Sequence, residues 1–68
     1  MAWITTIIAA DGAPVTLCYS APGIPSSNDK LQYVNPRTTK TEQAQGITAW
    51  AGGPDEPCPK NTVKVTIV

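Results

Sequence analysis

The sequence predicts a mainly β, small single domain, and three observations carry that expectation. Residues 3–20 alternate apolar and polar side chains on either side of a turn signal, residues 62–68 alternate again, and Pro- and Gly-rich stretches interrupt the chain between them. The N-terminal β-hairpin at about 3–20 is the clearest element. Its two runs meet at Ala10-Asp11-Gly12-Ala13, where Gly12 supplies positive φ without steric cost and Asp11 tolerates it. A two-residue Asp11-Gly12 loop would oppose Ala10 to Ala13, Ile8 to Val15, Thr6 to Leu17 and Ile4 to Tyr19. That register makes their shared side the expected core face. The opposite side then carries Trp3, Thr5 and Ile7 against Ser20, Cys18 and Thr16, and Trp3 and Ile7 ask for cover. Pro14 falls opposite Ala9 and cannot donate to a ladder, so it marks a free edge near the turn. A third strand is expected beside Trp3–Ala9.

Ala21–Asp29 is rich in Pro, Gly, Ser and Asn and reads as a loop. Pro22 and Pro25 match a PxxP spacing, but no basic residue flanks it, so a stiffened loop is the reading. A short strand near 31–34 follows and ends at Asn35-Pro36. Thr39-Lys40-Thr41-Glu42 fits a capping box, which predicts at most one short helical turn near 39–45, with a polar loop as the alternative. Residues 47–51 are expected to form a strand with Ile47, Ala49 and Ala51 on one face and Trp50 on the other. Pro54, Pro57 and Pro59 make 52–61 irregular, and Val63, Val65 and Ile67 alternate in a half-buried C-terminal strand at 62–68. There is no internal repeat and no linker, so residues 1–68 are read as one small β-rich domain.

A chain of 68 residues buries only about 60% of the surface its unfolded form exposes. Such a domain leans on a disulfide, a metal or a partner. With no His and two Cys, no metal is expected, and the options are a Cys18–Cys58 disulfide or two separate thiols. The formal net charge of zero gives no field for a phosphate backbone, so no nucleic acid is expected. Residues 1–10 are apolar but short, lack a basic residue and contain Thr5 and Thr6. Neither a signal peptide nor a membrane span is expected. Synthesis in the cytoplasm follows as an expectation, with incorporation into a virion or other particle as its extension. There the cysteines would start reduced, and release from the cell would let them oxidise.

No catalytic residue stands out. Without His, acid–base chemistry would fall to Asp11, Asp29, Glu42, Asp55 and Glu56, and all five sit where turns, loops or a helix start account for them. Neither cysteine has a neighbouring base to activate it. Trp3, Tyr19, Tyr33 and Trp50 fit packing better than nucleic-acid stacking, with carbohydrate a minor alternative. Arg37 and Lys40 read as a solvated face. No cofactor and no small-molecule ligand are expected. A charged fraction of 15%, against about 25% in typical domains, suits packing on other protein. The expected function is a non-enzymatic structural or assembly protein that decorates, caps or cements a larger particle, for example a minor phage or virus virion component. Its partners would be other protein subunits, and its candidate interface is Trp3, Ile7, Trp50, Pro54, Pro57 and Pro59. The alternative is a monomeric binding or inhibitory module that presents a proline-rich loop, 21–29 or 52–61, to a target protein.

Overall fold

Alternating β-branched residues make Trp3–Ile8 (β1) and Pro14–Tyr19 (β2) antiparallel partners in a computed structural model, which describes residues 2–53 and 57–68. Their register differs by one residue from the expected one: Ile7 opposes Val15, Thr5 opposes Leu17 and Trp3 opposes Tyr19. The cause is the turn. The Ala9 N–H donates to the Ala13 carbonyl at 2.9 Å, and the Gly12 N–H donates to the Ala9 carbonyl at 2.9 Å. The loop is therefore the three residues Ala10-Asp11-Gly12, and Gly12, at φ +87°, supplies the left-handed position that ends it. A one-residue slip turns every β1 side chain over. Val15 and Leu17 of β2 stay on the core face as expected, but they are joined there by Thr5 and Ile7, whereas Ile8 is turned outward and is 68% exposed.

Leu31–Val34 (β3) and Thr41–Ala44 (β4) form a second antiparallel pair, with Tyr33 opposite Glu42 and Val34 opposite Thr41. The helical turn expected near 39–45 is thus a strand. Asn35, fully buried, explains the outcome: its side-chain carbonyl accepts the Arg37 N–H at 2.9 Å and the Thr38 N–H at 3.4 Å. The Asn35 N–H also donates to the Lys40 carbonyl at 2.9 Å, which starts the returning strand. Thr39 is held at φ +62°, a conformation incompatible with the extended backbone that a helix N-cap requires.

The C-terminal run is divided. Val63–Lys64 (β5) pairs in parallel with β2, and Thr66–Ile67 (β6) pairs antiparallel with β3. Between them Val65 is buried and its N–H donates to the Cys18 carbonyl at 3.0 Å. One strand therefore turns the corner between two three-stranded sheets, ordered β1-β2-β5 and β4-β3-β6. The third strand of the first sheet joins β2 rather than β1, and does so at Leu17 and Cys18, away from Pro14. The strand expected at 47–51 reduces to one antiparallel bridge. Ile4 and Ala51 exchange both backbone hydrogen bonds, at 2.7 and 2.9 Å.

The core between the sheets is Ala9, Val15, Leu17, Leu31, Tyr33 and Val65, with Ile7, Tyr19, Ile47, Trp50 and Val63 packed against it. Ile47 and Trp50 face the same core, contrary to the alternation expected of a strand. Cys18, fully buried, is disulfide-bonded to Cys58, which ties the 57–59 segment to β2.

Candidate functional site

The expected interface residues differ in exposure: Trp3, Ile7 and Trp50 are half-buried, whereas Pro57 and Pro59 are exposed. Trp3 is half-buried and its indole Nε1 donates to the Ala21 carbonyl at 3.1 Å. Ile7 finds its cover inside the chain, against the core. Trp50 is half-buried with its ring centroid 6.4 Å from that of Tyr19 in a tilted arrangement. Its buried Nε1 has no acceptor among the described residues. Pro57 and Pro59 are exposed on either side of Cys58, and Pro54 lies outside the described residues.

What the two hairpins do bring together is a polar clasp. Arg37 lies exposed at the surface, as expected, and there its Nε donates to Asp11 Oδ2 at 2.7 Å and its Nη2 donates to Asp11 Oδ1 at 3.0 Å. The same guanidinium donates to the Ala13 and Pro14 carbonyls, each at 3.0 Å. The β3–β4 turn thereby grips the tip of the β1–β2 hairpin. Glu42 completes the clasp from β4. Its Oε1 accepts the Tyr33 hydroxyl at 2.6 Å and the Ala10 N–H at 3.1 Å, and its Oε2 accepts Asn35 Nδ2 at 3.0 Å.

These contacts set the electrostatics. The Arg37 hydrogen bond holds the Asp11 carboxyl far below its usual range, and the same bond raises the Arg37 guanidinium. The Tyr33 hydroxyl and Ala10 N–H lower Glu42 against the opposing cost of burial. Burial first, and then the Glu42 carboxylate, push Tyr33 up to about 12. Both carboxylates are thus committed to holding the sheets together. Among the described residues no cluster of His, Cys, Asp or Glu could hold a metal ion, and no helix is long and apolar enough to cross a membrane.

Among the described residues the exposed large apolar side chains are Ile8, Ile24, Val34, Ile67 and Val68, each between 45% and 68% accessible. A two-residue Asp11-Gly12 loop would set Ile8 on the core face, and the three-residue loop turns it outward, so its exposure is not apparent from the alternation. Val34 shares with Gln32, Gln43, Thr41 and Thr66 the outer face of the second sheet, which its alternation with Leu31 and Tyr33 already implied. Comparison of the chain with protein-family models, with curated proteins and with solved structures finds no match.

Proposed function

We propose that the protein is a non-enzymatic structural subunit that decorates, caps or cements a larger particle, as a minor phage or virus virion component would. The observation that carries this reading is the set of five large aliphatic side chains left exposed among the described residues of a chain with a 15% charged fraction. Scattered exposed apolar residues are ordinary, but here they coincide with a surface poor in the charges that keep small domains apart. The commitment of Asp11 and Glu42 to the clasp supports a non-catalytic role, as does the lack of His in the sequence. Size analysis of an extract from the source cells tests the proposal. Elution of the chain with material far above its own 7.2 kDa is expected, and elution at the mass of the free chain in a fresh extract would contradict it.

One observation favours the alternative of a binding or inhibitory module. The Cys18–Cys58 bond anchors the 57–59 part of the proline-rich loop to the most buried strand, which preorganises it for presentation. Under that reading, Pro57→Ala and Pro59→Ala weaken binding to one target protein while the melting transition stays unchanged. Under the assembly reading the same two substitutions lower co-elution with the large material and leave no single target protein whose binding they weaken.

A further inference from the structure

The outer edge of β1 is unguarded, unlike the other free edges of the molecule. Edge strands expose unpaired N–H and C=O groups, and natural sheets blunt them with charge, proline or shortness. β5 and β6 are two residues each, and β5 carries Lys64; β4 carries Glu42 and follows directly on Lys40. On β2 the turn end has Pro14, which lacks an N–H, and the Pro14 carbonyl is taken by Arg37. β1 is the six-residue run Trp-Ile-Thr-Thr-Ile-Ile with no charge, proline or glycine.

Ladder geometry shows which of its groups are free. Ile4 exchanges both backbone bonds with Ala51 on the outer side, so by the two-residue period Thr6 and Ile8 also point their N–H and C=O outward. Among the described residues these groups have no partner, and beside them stands the 68% exposed Ile8 side chain.

We infer that β1 pairs antiparallel with β1 of a second copy of this chain, about a two-fold axis through Ile7. Two-fold axes through Thr6, Ile7 or Ile8 set outward groups opposite outward groups. An axis through Thr6 would oppose Ile8 to the partner copy's Ile4, whose groups are already held by Ala51. An axis through Ile8 would oppose Thr6 to Ala10, whose N–H is already given to Glu42. The axis through Ile7 opposes Thr6 to Ile8 and Ile8 to Thr6, so each free residue meets a free residue. Two narrow pairs form, each exchanging both of its hydrogen bonds. No like charges face each other, because residues 2–10 carry none. The ladder runs from Thr5 to Ala9, bounded by the Ala51 bridge at one end and the turn at the other.

This inference rests on the assembly reading but is tested separately from it. Sedimentation equilibrium of the purified chain from micromolar to millimolar concentration, beside Ile8→Pro and Ile8→Lys, is the experiment. Ile8→Pro removes an N–H that points away from β2, so every β1–β2 bond survives, and circular dichroism checks that the fold does too. The wild type is expected to reach twice the monomer mass, with both variants weakened by about tenfold or more. A wild type that stays monomeric to millimolar concentration overturns the pairing, as does a dimer that Ile8→Pro and Ile8→Lys leave unchanged. The assembly reading itself stands or falls by the mass of the chain in the cell extract.

Discussion

The two strands of the N-terminal hairpin pair with one another and yet are treated in opposite ways by the rest of the molecule. β2 is enclosed: Val15, Leu17 and Cys18 are buried, β5 lies along its far end, Arg37 caps its near end and a disulfide holds it from outside. Among the described residues β1 makes backbone hydrogen bonds on its outer side only with Ala51, and its last residue stands in solvent. The difference teaches that one strand is used up within the monomer while the other keeps outward backbone groups that the proposed pairing would use. Ile7 is packed against the core and Trp3 is half-buried, whereas Ile8 and the backbone beside it stand open.

If β2 is the strand that holds the monomer together, its staple should matter most. Replacing both Cys18 and Cys58 by Ala opens a loop spanning a sequence separation of 40 and should cost about 4 kcal/mol in denaturant unfolding. A loss below ~1 kcal/mol would show that β2 does not depend on its staple. The next contrast is between equivalent truncations on the two strands. Leu17→Ala in β2 should cost about 3 kcal/mol through the cavity it leaves, whereas Ile8→Ala in β1 should fall within about 0.5 kcal/mol of the parent when measured on the dilute monomer. Equal costs would erase the distinction between the strands. Smaller again is the clasp: Asn35→Ala strands the Arg37 and Thr38 N–H groups and removes a donor from Glu42, for about 2 kcal/mol in the same assay.

The pH dependence of the clasp has a definite sign. Asp11 and Glu42 are lowered in the fold from their ordinary values of 3.8 and 4.5, so the unfolded chain binds more protons in acid. Their stabilisation is complete above those ordinary values and fades as pH falls through the lowered folded ones. Tyr33 is raised from 10.0 to about 12, so its contribution is intact below pH 10 and is lost on rising toward 12. The melting temperature should therefore hold a plateau and fall at both ends, and Glu42→Gln should flatten part of the acid limb. An acid limb unchanged by Glu42→Gln and by Asp11→Asn would remove the clasp from the account.

Much of the fold was legible in the residues. The hairpin strands and the strand at 31–34 follow from period-two alternation ended by Gly12 and by Asn35-Pro36. The register was not, because an Asp-Gly pair serves a two-residue loop or closes a three-residue one, and only the Ala9–Ala13 bond distinguishes them. The strand at 41–44 was masked by Thr-Lys-Thr-Glu, which satisfies a helix cap locally but whose glutamate is drawn to Tyr33, Asn35 and Ala10 instead. Tertiary bonds won over local propensity there. Arg37 and Asp11, 26 residues apart, meet only because two hairpin turns converge, which no local pattern announces. The candidate disulfide was visible because the chain has two cysteines and no others.

Amide hydrogen exchange on β1, followed residue by residue at low and high protein concentration, tests the central contrast most directly. At low concentration the Ile4 amide should be protected through Ala51 and the β2-facing amides of Thr5 and Ile7 through the hairpin, while Thr6 and Ile8 exchange freely. At high concentration Thr6 and Ile8 should slow together. Protection of Thr6 and Ile8 equal to that of Ile4 in the most dilute sample would contradict the account, as would free exchange of both at every concentration.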